Sequence, residues 1–140
     1  MSAAIIVALF FTVALLVNTA YFIMGAIPLL ILRHDTPLDA RFVRGFFNVY
    51  YRTAFVTASG TALSYAIAGR LRVACGALVL AAVALLLRRR VIPGMDALGS
   101  RIQGDFMDAI PGFRRLHLWA ILINIAQLVA IVWSLIALSP

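Results

Sequence analysis

The sequence predicts an all-α integral membrane protein: a bundle of four spans with a cytoplasmic amphipathic helix between spans three and four. Three observations predict it. Hydrophobic residues make up 64% of the 140 and charged residues only 12%, against roughly a quarter charged in soluble domains. The apolar residues gather in charge-free runs long enough to cross a bilayer. All twelve basic residues are arginines, concentrated in the polar stretches between those runs, where arginine reports orientation.

The first span is expected over about residues 3–32, uncharged throughout. It exceeds the roughly twenty residues a bilayer needs, so Pro28, after Gly25, is the expected site of a bend. No basic residue precedes it and Asn18-Thr19-Ala20 is a poor cleavage site, so it reads as a retained span and not a signal peptide. His34-Asp35-Thr36-Pro37 then ends one helix and starts another. Thr36 suits the N-cap, Pro37 the first helical position and Asp39 the positive end of the helix dipole. This second helix is expected to reach about Ala68, with Arg41, Arg44 and Arg52 at the interface and Tyr50 and Tyr51 in an aromatic belt.

Gly69-Arg70-Leu71-Arg72 reads as a tight turn. The third span, Val73 to Leu87, is short, and Arg72 and Arg88 must snorkel to bracket it. Pro93-Gly94 is expected to bend the chain. From 95 to 110, Met95, Leu98, Ile102, Phe106 and Ile110 recur at helical spacing, the pattern of an amphipathic helix lying on lipid or on protein. Pro111-Gly112 is expected to break it, and the last span to run from about Leu116 to Leu138. Residues 1–140 therefore read as a single four-span domain.

Four spans put the first and third loops on one side. That side carries Arg33, Arg41, Arg44, Arg52, Arg88, Arg89, Arg90, Arg101, Arg114 and Arg115, and the other only Arg70 and Arg72. The bias places the loops in the cytoplasm and both termini in the periplasm. With arginine as the sole basic residue, which suggests a GC-rich genome, the expected location is a bacterial inner membrane. The net charge of +7 then serves membrane lipids, and nucleic acid is not an expected partner. Cys75 is the only cysteine; it has no disulfide partner within the chain and reads as a small buried apolar residue.

Chemistry is sparse. No carboxylate, lysine or arginine lies in the middle of a span, which argues against a proton-coupled transporter or an ion pump. No internal repeat with broken helices is visible. A passive channel or carrier would need polar lining on several helices. No CxxC, ExxH or HxxxH spacing supports a metal, and facial ligation by His34 and His117 with Asp35, Asp96, Asp105 or Asp108 lacks that support. Both histidines sit near one interface, unlike a two-His haem pair. No cofactor is expected.

His117, Asn124 and Gln127 are the polar exceptions in the last span. Seven residues separate His117 from Asn124, so both occupy nearly one helix face. Two readings follow. Such residues hold helices together by interhelical hydrogen bonds, each contributing about 0.5–2 kcal/mol. Alternatively they line a pocket for a lipophilic small molecule, with Asn124, Gln127, Tyr21 and Tyr65 as ligand-binding residues and His117 as acid or base. Asn18, Thr57, Thr61 and Ser64 are further candidate partners, although Ser and Thr in membrane helices mostly allow close packing.

The run Arg90-Val91-Ile92-Pro93-Gly94-Met95-Asp96-Ala97-Leu98, then Phe113-Arg114-Arg115-Leu116-His117 and Asn124, resembles a superfamily of small four-span membrane proteins that includes the anthrone-oxygenase-like proteins. Where that pattern has a small Ser after the His, this chain has Trp119 and Ala120. The resemblance implies a four-helix bundle with Pro93, His117 and Asn124 as family positions. Two functions remain open. One is a non-catalytic accessory subunit of a larger membrane complex, respiratory or photosynthetic, whose partners are other membrane subunits. The other is an enzyme acting on a lipophilic aromatic or quinone-like substrate.

Overall fold

The computed structural model describes residues 2–33, 36–104 and 107–138, with side chains to residue 136. Four helices follow one another: α1 (Ala3–Leu29), α2 (Pro37–Ile67), α3 (Leu71–Gln103) and α4 (Ala109–Leu138). α1, α3 and α4 are each long and apolar enough to cross a membrane. The helices pack as a ring: α2 touches α1 and α3, and α4 closes the circle by touching α3 and α1.

The helix ends follow from local chemistry. Ser2 caps α1 by accepting from the Ile5 amide at 3.4 Å, and Thr36 caps α2 by accepting from the Asp39 amide at 3.2 Å. α2 stops at Gly69, whose φ of +74° is left-handed. The Arg70 amide donates to Tyr65 O at 2.9 Å and the Gly69 amide to Ala66 O at 3.1 Å. These two bonds form a Schellman motif, which satisfies carbonyls that the helix end would otherwise orphan. The expected tight turn is therefore built on Gly69.

α3 departs from expectation. Pro93-Gly94 does not bend the chain into a separate amphipathic helix over 95–110; α3 continues through it to Gln103. Proline inside a helix costs about 3 kcal/mol. Continuing α3 past it buries Val91, Ile92, Met95, Gly99 and Ile102 along one stripe, and that burial outweighs local propensity. The apolar face of this segment thus packs on protein, with Leu98 and Ile110 joining the same core; Phe106 lies outside the described residues. Pro111-Gly112 does not break the chain either, because both fall within the first turn of α4, where amides lack helical partners anyway.

Close approach of α1 and α2 depends on two glycines. A Cβ on Gly25 would lie 2.6 Å from Phe46 Cζ, and one on Gly60 would lie 2.6–2.8 Å from three atoms of the Phe11 ring. Each ring from one helix thus sits on a bare stretch of backbone of the other. Between α2 and α3, the most extensive interface, the buried residues are mostly small: Ala54, Ala58 and Ala62 on α2, and Ala74, Ala77, Ala81 and Ala84 on α3. Two other expectations change. Cys75 is exposed, one position away from the buried alanine stripe. Tyr50 and Tyr51 are buried in the core, 4% and 0% exposed, and are not part of a surface belt; α2 turns them toward α1 and α4.

The glycines give a graded test by thermal unfolding in detergent. Gly60→Ala should destabilise by about 1–3 kcal/mol, because the Phe11 ring has to move bodily. Gly69→Ala should cost about 1–2 kcal/mol through its positive φ alone, since a Cβ there meets nothing within 4 Å. Gly45→Ala, in mid-helix with equally open surroundings, should stabilise by about 0.5–1 kcal/mol.

Candidate functional site

The polar residues of α4 point inward. His117 and Asn124 are both 0% exposed, and they share their face with buried Phe113, Ala120, Ile121 and Ile131. This is the face that their seven-residue spacing predicts.

His117 meets the worn end of α1. The last turn of α1 tightens: the Leu30 amide donates to Ile27 O at 3.0 Å, three residues back and not four. Ala26 O thereby loses its helical donor. His117 Nε2 supplies one, at 3.1 Å. A carbonyl only accepts, so Nε2 carries the proton. One turn earlier on α4, Arg114 Nη2 donates to Leu30 O at 3.1 Å. Two α4 side chains therefore cap the C-terminal end of α1, where a cationic group is also favoured by the helix dipole. The Phe47 ring meets the His117 imidazole edge-on at 4.9 Å, which closes the other side.

Asn124 lies two turns farther along. Tyr50 Oη donates to its Oδ1 at 2.7 Å, and its Nδ2 donates to Ala120 O at 2.7 Å. The first bond joins α2 to α4 across the diagonal of the ring, where the two backbones do not touch. Phe22 of α1 stacks on Tyr50 with centroids 3.9 Å apart and packs edge-on to Phe47 at 4.8 Å. Tyr51 is fully buried beside them, with its hydroxyl next to the Asn124 carboxamide. The centre of the bundle is thus a polar thread of His117, Asn124 and Tyr50 wrapped in aromatic rings.

The other expected ligand-binding residues do not join this cluster. Tyr21 is 75% exposed and lines a shallow outward groove on α1 with Phe10, Val13 and Val17. Tyr65 is buried with Ala8 and Ala74 in a separate, smaller core, at the end of α2 away from His117. Gln127 is half-buried on the same side of α4, and its Nε2 is buried without a partner among the described residues. Asn18 pairs instead with Thr53, whose hydroxyl donates to its Oδ1 at 2.9 Å. Thr57 and Thr61 donate to carbonyls four residues back, the usual self-satisfaction of helical threonine. Sequence reasoning missed Tyr50, Tyr51 and Ala26 O. The two tyrosines were findable: 43, 47, 50, 54 and 58 form one stripe at helical spacing, and both fall on it or beside it.

A cleft of about 260 Å³ opens elsewhere, between the start of α2 and the end of α3. Arg41, Arg44, Met95, Asp96 and Gly99 line it. One of its two arginines is engaged: Arg44 grips Asp96 through two bonds, Nε–Oδ1 at 2.8 Å and Nη2–Oδ2 at 3.1 Å. No group of three or more His, Cys, Asp or Glu is placed to hold a metal among the described residues. His34, Asp35 and Asp105 lie outside them.

Chemically, the thread joins helices to one another. The described bonds of His117 and Asn124 end on a backbone carbonyl or on a residue of the bundle. No protein family, curated protein or solved structure is matched by this chain.

The thread makes two predictions about stability. A double-mutant cycle between Tyr50→Phe and Asn124→Ala, read by unfolding in detergent, should return a coupling of about 0.5–2 kcal/mol. His117→Ala should destabilise by about 2–4 kcal/mol, since it strands the buried Ala26 carbonyl and leaves a cavity.

Proposed function

We propose that this protein is a non-catalytic structural subunit of a larger membrane complex of the respiratory or photosynthetic type. In this reading it crosses a bacterial inner membrane four times, with α2 as the additional span. Both longer loops face the cytoplasm and both termini the periplasm, as the ten-to-two distribution of arginines implies. The single observation that carries the reading is the complete burial of His117 and Asn124, with their hydrogen bonds directed to Ala26 O, Ala120 O and Tyr50. The residues best suited to chemistry are engaged in joining helices. Meanwhile the outer faces of α1 and α4 are broadly apolar: Phe10, Tyr21 and Met24 are more than two-thirds exposed, as is Trp133. Such faces suit lipid tails or the spans of partner subunits.

The test is gentle extraction from native membranes followed by native gel electrophoresis and mass spectrometry. Stoichiometric migration with a large assembly is the expected outcome. Migration alone, or only as a small homo-oligomer, overturns it.

A second reading is favoured by one specific observation, the fully buried Tyr51 hydroxyl beside Asn124. It makes the centre of the bundle a site for a lipophilic aromatic or quinone-like substrate. This is the activity implied by the resemblance to anthrone-oxygenase-like proteins, with His117 as base. Under this reading His117→Ala abolishes turnover while the bundle still folds. Under the subunit reading it reduces stability and assembly, and there is no turnover to lose.

A further inference from the structure

The two sides of the bundle present apolar belts of unequal height. α1 is uncharged over all 27 of its residues, about 40 Å at 1.5 Å per residue. On α3 the apolar run between Arg72 and Arg88 covers only residues 73–87, about 22 Å by the same rise. On α2 the run between Arg52 and Arg70 covers residues 53–69, about 25 Å. A hydrocarbon core is about 30 Å thick.

The helix register shows where the shorter belt ends. Phe11 sits against Gly60, Asn18 against Thr53 and Phe46 against Gly25, so Arg52 is level with about residue 19 of α1. That is some 16 Å short of Leu30, where α1 ends and Arg114 caps it. Arg88 lies at a similar height. Its Nε donates to Asn48 Oδ1 at 3.1 Å, and Asn48 is one turn from Arg52 on the same face of α2. Arg88 thus holds the asparagine and Arg52 stands one turn away, at a depth where α1 is polar only at Asn18 and Thr19 and carries no charge. Among the described residues neither has a carboxylate partner, because the two ion pairs are Arg44–Asp96 and Arg101–Asp108.

Cations at such depth require a counter-charge. The asparagine uses one edge of Arg88 and leaves its terminal nitrogens available, and a planar guanidinium matches phosphate oxygens in paired bonds. We propose that Arg52, Arg88 and Asn48 form a headgroup site for an anionic phospholipid on the α2–α3 face. The lipid phosphate is drawn toward the bilayer interior there, so the leaflet is locally thin on this side and of ordinary thickness beside α1. Arg89 and Arg90, both exposed, add positive charge that disfavours a zwitterionic headgroup, whose ammonium they repel. The inference rests on the membrane placement of the preceding reading, and is independent of whether the chain has a partner complex.

The test uses the full chain in nanodiscs of phosphatidylcholine doped with phosphatidylglycerol of equal acyl length, with the lipids retained on release counted by native mass spectrometry. The expected result is a preference for phosphatidylglycerol of about tenfold or more, abolished in R52Q/R88Q and largely kept in R89Q/R90Q, which removes the same charge. Equal loss in both double variants overturns the site in favour of diffuse attraction. Displacement of the lipid by millimolar inorganic phosphate overturns the lipid as the ligand. Should R52Q/R88Q fail to fold, N48A keeps both charges and releases Arg88; it should lower the preference several-fold, and an unchanged preference overturns the site. A chain that does not enter nanodiscs at all points to failure of the membrane placement, whereas one that enters without lipid preference points to failure of this site.

Discussion

Backbone carbonyls are the constraint on which this bundle depends. Away from water, a carbonyl without a donor costs several kcal/mol, and a helix that tightens at its end releases one. α1 does so at Leu30, and α4 answers with His117 and Arg114. That exchange fixes how far α4 can slide along α1. The diagonal bond from Tyr50 to Asn124 then fixes α2 against α4. With α1–α2 set by the rings on Gly25 and Gly60, three helices have their relative heights determined. The polar residues of α4 therefore act as register marks in a helix that is otherwise apolar on every side.

The same geometry explains why the centre is rich in rings. A buried imidazole and a buried carboxamide need neighbours that neither compete for their hydrogen bonds nor leave voids. Phe22, Phe47 and Phe113 fill that requirement with large apolar surfaces, and edge-to-face and stacked arrangements add a modest attraction of their own. Polar groups satisfied in this way are stronger in a low dielectric than in water, and correspondingly costly to expose.

Much of this was legible in the sequence, for identifiable reasons. The caps at Thr36 and Gly69 depend on a few adjacent residues, and local chemistry is sufficient to read them. The inward face of α4 is legible because His117 and Asn124 stand out on an apolar background at a spacing that admits one orientation. Pro93 and Pro111 misled for one reason: proline reports a local cost and is silent about what tertiary burial returns. At Pro93 the return is the stripe from Val91 to Ile102; at Pro111 the cost is absent, because the residue lies in a first turn. Tyr21 and Tyr65 were grouped with His117 on residue type alone. Which side of a helix each faces, and at which end of the bundle it lies, depend on the α1–α2 register. That register is set by ring-on-glycine contacts that no composition reveals.

The alanine seam between α2 and α3 has a thermodynamic character of its own. Alanine has no rotamers to lose, so joining these helices freezes almost no side-chain motion. A seam of methyl groups also has no teeth, and one alanine meets its neighbour much as the next would. Its alignment must come from elsewhere, and the two ends provide it: the left-handed glycine turn at one, and the paired grips of Arg44 on Asp96 and Arg88 on Asn48 at the other. The interface is smooth along its length and indexed only at its ends, so the entropy of ordering long side chains is confined to the places where it sets the alignment.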